Sequence, residues 1–146
     1  MDEKMRHENS LLKLETLLEA LAELKGQCAV QLIHDLNSDQ LTVKQLEYLK
    51  LIDEFEATTI SNLAEILDLK KPTVTETVHK LQKLDCVMKH QCSMDGRIYY
   101  ITLTDKGEKL ARLDQRSYNY LVEKIAERLE TEEIELLILL LEKLTI

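Results

Sequence analysis

The sequence predicts a mainly α protein with one small β-hairpin. Three observations carry that expectation. Only three glycines and one proline occur in 146 residues, so long stretches run without a helix breaker. Apolar residues recur at three- and four-residue spacings along most of the chain. The exception is "CVMKHQCSMDGRIYYITL", where two β-forming runs flank Asp95-Gly96, a strong short-range hairpin signal.

Each element follows in order. Over residues 10–35, Leu11, Leu14, Leu18, Leu21, Cys28 and Leu32 form one apolar stripe, widened by Leu12, Leu17 and Leu24. Gly26 is expected to bend or interrupt this helix. After the polar break "NSDQLT", a second helix spans about 42–55 with Leu46, Leu49, Leu51 and Ile52 inward. "EATT" is a short connector. Thr59 or Ser61 then caps a brief helix that puts Leu63, Ala64 and Leu67 on one face. Pro72 is placed at the first position of the next helix, about 72–84, where its missing N–H leaves nothing unsatisfied. The hairpin occupies about 86–103, with Gly96 expected to supply a positive φ in its turn. Thr104 caps a long helix from Asp105 to about Leu129, and Thr131 caps a final one with Glu132 and Glu133 at its positive end.

Length and charge bound the functional classes. The length fits one domain, 1–146. The longest apolar run, Leu136 to Leu141, is far short of the about 20 residues of a spanning helix. No apolar signal segment opens the chain, so a cytoplasmic protein with no membrane partner is expected. Cys28, Cys86 and Cys92 are odd in number and follow no CxxC spacing, which favours reduced thiols. The net charge of −8 opposes nucleic acid binding if taken alone. Its distribution reverses the argument. Lys70 to Arg97 holds six Lys/Arg against three Asp/Glu, a net +3, so the rest of the chain carries −11.

That basic segment coincides with two short helices, a tight turn and a hairpin, the order of a winged helix-turn-helix lobe over 42–104. Val74, Val78 and Leu81 share the inner face of its second helix. The outer face carries Pro72, Thr73, Glu76, His79, Lys80 and Lys83, flanked by Thr75, with Lys70 and Lys71 just before it. Hydroxyls, an imidazole and ammonium groups suit a major groove, with the lysines on phosphates. Arg97 at the hairpin tip is placed to enter a minor groove, with Asp95 pairing to it and Gly96 shaping the turn as wing support. Cys86, His90 and Cys92 offer three ligands where structural zinc takes four, so no metal and no cofactor is assigned. Tyr118 and Tyr120 are assigned to core or dimer-interface packing, with the lining of a ligand pocket as the alternative. The apolar stripes of 10–36 and 105–146 exceed what one small lobe can cover, and are assigned to a homodimer interface.

In sequence order, Leu41-Thr42-x-x-Gln45, the helix-turn-helix "ISNLAEILDLKKPTVTETVHKLQKLDCV", Asp95-x-Arg97 and Leu103-Thr104-x-x-Gly107 resemble the MarR family of winged-helix transcriptional regulators. The resemblance covers about 41–110. It implies a homodimer with interlocked terminal helices, recognition helices in successive major grooves of a palindromic operator, wings in the flanking minor grooves, and often a repressor released by a small-molecule effector. The chain departs from the family where Asp85 stands for the usual Gly, Lys89 for a common Arg, and Glu76 for a basic or polar residue. The function expected is a sequence-specific double-stranded DNA-binding regulator, not an enzyme: no paired catalytic carboxylates, Ser/His/Asp arrangement or phosphate-cradling loop is visible. The alternatives are a winged-helix protein-interaction module without DNA binding and a thiol-based redox-responsive regulator.

Overall fold

The computed structural model describes residues 2–145. Among the described residues the chain forms seven helices and one two-stranded hairpin: α1 (Glu3–Asp35), α2 (Val43–Phe55), α3 (Ile60–Leu67), α4 (Lys71–Lys83), β1 (Val87–Gln91), β2 (Tyr99–Leu103), α5 (Asp105–Ala111), α6 (Leu113–Arg128) and α7 (Thr131–Thr145). They divide into two compact units. One is Leu32–Leu113; the other joins the chain up to Gln31 with the chain from Asp114 onward.

The first unit is built around a single apolar core. Leu49 and Ile52 of α2, Leu63 of α3, and Val74, Val78 and Leu81 of α4 are fully buried together with Ile101 of β2 and Leu110 of α5. Leu46, Leu51 and Leu67, expected inward, lie half-buried against this cluster. Tyr48, which the periodicity did not single out, is buried with them. Local sequence sets the helix starts. Thr42 accepts from the Gln45 amide (3.1 Å) while the Gln45 side chain accepts from the Thr42 amide (3.0 Å), a reciprocal capping box. Thr59, not Ser61, caps α3 by accepting from the Asn62 amide at 3.1 Å.

β1 and β2 pair antiparallel, with Val87 opposite Leu103 and Gln91 opposite Tyr99. The connector contributes more than a link. Thr58 is buried and exchanges both backbone hydrogen bonds with Ile101 (3.1 and 2.7 Å), which docks the hairpin onto the helical layer. The junction after the hairpin is equally tight. Thr104 accepts from the Gly107 amide (3.0 Å), its hydroxyl donates to the Asp85 carbonyl (2.6 Å), and its amide donates to the Cys86 carbonyl (3.0 Å). A Cβ on Gly107 would overlap the Cys86 carbonyl oxygen, so the Leu-Thr-x-x-Gly spacing exists to let α5 approach that backbone.

Four expectations are corrected. α1 runs unbroken through Gly26, whose neighbours are strong helix formers; one exposed glycine costs about 1 kcal/mol, which a 33-residue helix absorbs. The helix expected from Asp105 to Leu129 is two helices, broken at Arg112 (φ −97°, ψ 19°). Pro72 occupies the second position of α4 rather than the first, after Lys70 as N-cap and Lys71. Thr131 is the first residue of α7 and not its cap; the Glu133 carboxylate instead accepts from the Glu130 amide at 2.9 Å.

In the second unit, α1 and α7 bury no residue at all. Leu11, Leu14, Leu18 and Leu21 of α1, and Leu136, Ile138, Leu139, Leu140 and Leu141 of α7, are 45% or more exposed. Lys25 of α1 lies 4.3 Å over the Tyr118 ring of α6 and 3.9 Å from Asp114.

Candidate nucleic-acid interface

α3, the turn Asp68–Lys70 and α4 form the helix pair of the lobe. Asp68 closes α3 in the left-handed region (φ 53°, ψ 47°), a conformation that Asp tolerates better than most residues. The chain then enters α4 through Lys70 in an extended conformation (φ −76°, ψ 146°). No side chain caps the first turn of α4. Asp85, standing where the family usually has Gly, adopts φ 59° and turns the chain from α4 into β1.

With Val74, Val78 and Leu81 sealed in the core, the rest of α4 faces outward. Lys70, Lys71, Pro72, Thr73, Thr75, Glu76, His79, Lys80 and Lys83 are all exposed. Two features of this face were not foreseen. The Lys80 ammonium lies 3.4 Å from the Glu76 carboxylate, so the one acid on the face has a cation beside it. The Thr75 and Thr77 hydroxyls donate back to the carbonyls of Lys71 (2.8 Å) and Thr73 (3.3 Å), which leaves them as acceptors toward solvent.

The hairpin tip is held from within. The Asp95 carboxylate accepts from the Arg97 amide (3.0 Å) and from its guanidinium Nε (3.3 Å), while the Arg97 side chain stays 92% exposed. Gly96 corrects an expectation: no glycine among the described residues has a positive φ. Its value is space. The Gln91 side-chain Nε2 donates to the Gly96 carbonyl at 2.9 Å, and a Cβ on Gly96 would sit 3.0 Å from that same nitrogen. Sequence reasoning missed Gln91 because a clamp between residues five apart around a loop has no periodic signature. Lys89, on the inner side of β1, joins Arg97 in lining a cleft of about 310 Å³ against Thr59, Ile60 and Ser61 at the start of α3.

The cysteines and histidines do not converge. Among the described residues no group of three or more His, Cys, Asp or Glu side chains is placed to hold a metal ion. His90 instead shares a hydrogen bond with the Thr102 hydroxyl at 2.9 Å. Cys86 is fully buried, and burial pushes its thiol up despite the nearby Lys106 ammonium. Such a thiol is a poor nucleophile, so Cys86 is a core residue. No described helix is long and apolar enough to cross a membrane.

A buried helix pair presenting one exposed helix face, followed by a docked hairpin with a cationic tip, defines a winged helix-turn-helix protein. Residues 41–99 match the sequence model of the MarR family. It is 28% identical over 130 residues, 89% of this chain and 84% of the relative, to a Bacillus subtilis (strain 168) protein described as the uncharacterized HTH-type transcriptional regulator YhbI. Solved structures share the fold. A variant of S. aureus MepR bound to an oligodeoxyribonucleotide matches with a TM-score of 0.65 at 22% identity, covering 90% of this chain and 95% of that one. YusO from Bacillus subtilis matches with a TM-score of 0.64 at 17% identity, covering 99% and 98%. Streptococcus pneumoniae FabT in complex with DNA matches with a TM-score of 0.54 at 20% identity, covering 92% and 94%.

Proposed function

We propose that this protein is a sequence-specific, double-stranded DNA-binding transcriptional regulator, acting as a homodimer on a palindromic operator. The observation that carries the reading is the outer face of α4. Its helix is anchored by three fully buried residues, yet every charged side chain on it is exposed. In this reading Thr73, Thr75, Glu76 and His79 meet base edges, and Lys70, Lys71, Lys80 and Lys83 meet phosphates. Arg97, held by Asp95 and the Gly96 loop, enters the flanking minor groove. The uncapped start of α4 favours a phosphate as well. The bare leucine faces of α1 and α7 support the dimer, because an apolar surface of that extent calls for a partner and a second copy supplies one. The match of residues 41–99 to the MarR family supports repression, relieved by a small-molecule effector, as the mode of regulation.

Selection from a random duplex pool by the purified protein tests the reading. The expected product is a palindrome with half-sites about one helical turn apart. A folded protein that retains no duplex, or retains one without salt dependence, contradicts it. That outcome favours the second reading, a winged-helix module that binds another protein, which the net charge of −8 motivates.

A further inference from the structure

Resting on the DNA-binding reading above, we infer that Glu76 and Lys80 act as one unit that reads a cytosine–guanine base pair in each half-site. Glu76 lies at the centre of the outward face. At about 100° per residue it stands about 160° from Val74 and Val78 and about 140° from Leu81, so it projects furthest from the core in the first half of the helix. Lys80 follows one turn later on the same line, its ammonium 3.4 Å from the Glu76 carboxylate. Both side chains are more than half exposed, 71% for Glu76 and 59% for Lys80, so neither is committed to the body of the protein.

The pair presents an acceptor and a donor side by side. A carboxylate only accepts and an ammonium only donates. In the major groove, cytosine shows its N4 amine as a donor, and the guanine paired with it shows O6 and N7 as acceptors. The Glu76 oxygen is therefore complementary to the cytosine and the Lys80 nitrogen to the guanine. An adenine–thymine pair is a poorer match, because its amino donor lies between adenine N7 and thymine O4, two acceptors that repel a carboxylate. Lys80 also answers the electrostatic objection to an acid on this face: it offsets the repulsion between Glu76 and the phosphates. The hydroxyls of Thr75 and Thr77 do not compete as donors, since both are spent on backbone carbonyls.

The test compares the wild-type protein with Glu76→Ala, Glu76→Gln and Lys80→Ala by selection from a random duplex pool, followed by titration of the recovered site and its single base-pair variants. All three substitutions are at exposed positions, and far-UV circular dichroism verifies that the helices are retained. The wild-type site is expected to fix one cytosine–guanine pair per half-site, with replacement by thymine–adenine weakening binding on the order of tenfold. Glu76→Ala is expected to bind both versions within about twofold of each other. Glu76→Gln is expected to move the preference at that position to adenine, which a carboxamide recognises through N6 and N7. Lys80→Ala is expected to lose discrimination and also affinity for all sites. A wild-type palindrome with no fixed cytosine–guanine pair, or a Glu76→Ala protein that keeps the wild-type preference at every position, overturns this inference and leaves the DNA-binding reading standing. Recovery of no duplex by the wild-type protein overturns both.

Discussion

Gly107 has one of the least replaceable side-chain positions in the lobe. Its missing Cβ is what lets the first turn of α5 lie against the Cys86 carbonyl, where the carbonyl carbon would be only 2.9 Å from an added methyl carbon. The obstacle is backbone, which cannot rotate away as a side-chain end can. Gly107→Ala is therefore expected to destabilise the lobe by about 1–3 kcal/mol, despite the higher helix propensity of Ala. Urea unfolding followed by circular dichroism measures this, and an unchanged or raised midpoint contradicts it. The same residue shows which single-residue roles are legible in a sequence. Thr59 and Thr104 were readable as caps because the groups they satisfy lie within three residues, whereas Thr42, expected as the first residue of its helix, proves to be its cap. Gly96 was misread because its constraint is not its own φ but the Gln91 side chain folded over it. Glu76 was read as a departure from the family pattern, while its pairing to Lys80 depends on a rotamer that no sequence specifies.

At the scale of elements, the hairpin is stiffened from two ends. Thr58 clamps its base through Ile101, and Gln91 clamps its tip through Gly96. Gln91→Ala removes the second clamp without touching the core, since Gln91 is exposed. Its expected signature is faster amide exchange confined to the 92–98 loop, with unchanged global stability and a several-fold loss of duplex affinity, because a mobile Arg97 must be ordered on binding at a cost of about 0.5–1.5 kcal/mol. Hydrogen exchange and duplex titration measure the two effects, and uniform exchange across the hairpin in both proteins contradicts the clamp. Periodicity placed α2 to α4 and both strands to within a few residues, because each has one clear apolar face or alternation; α1 ends where expected but starts seven residues earlier, at Glu3 rather than residue 10. It failed at Arg112. There the break in the expected long helix coincides with long-range contacts: the guanidinium bonds the Asp53 carboxylate of α2 at 3.1 and 3.2 Å, 59 residues away, and nothing local in "KLARLDQ" announces that partner.

At the scale of the whole molecule, an acidic chain carries one cationic segment, and two helices with bare apolar faces lie outside the lobe that bears it. Repeated leucine spacing made those faces legible in the sequence; that α1 and α7 bury nothing was not, since an amphipathic stripe reads the same whether its own chain or a second copy covers it. If a second copy covers them, Leu14→Lys with Leu18→Lys places two like charges in that interface and is expected to convert a dimer to a monomer by sedimentation equilibrium, with duplex affinity falling by orders of magnitude as two half-sites are no longer held together. A monomeric wild-type protein, or an undisturbed dimer in the double variant, contradicts the assignment. The central claim is that the +3 segment from Lys70 to Arg97 engages phosphates from within a body of opposite charge. Titration of the selected duplex at increasing salt tests it most directly. The account predicts a linear fall of log affinity with log salt, with a slope of about −0.9 per phosphate neutralised, and a shallower slope when Lys70, Lys71 and Arg97 are replaced by Ala. An affinity that does not change with salt, or a slope that is the same in the triple variant, contradicts it.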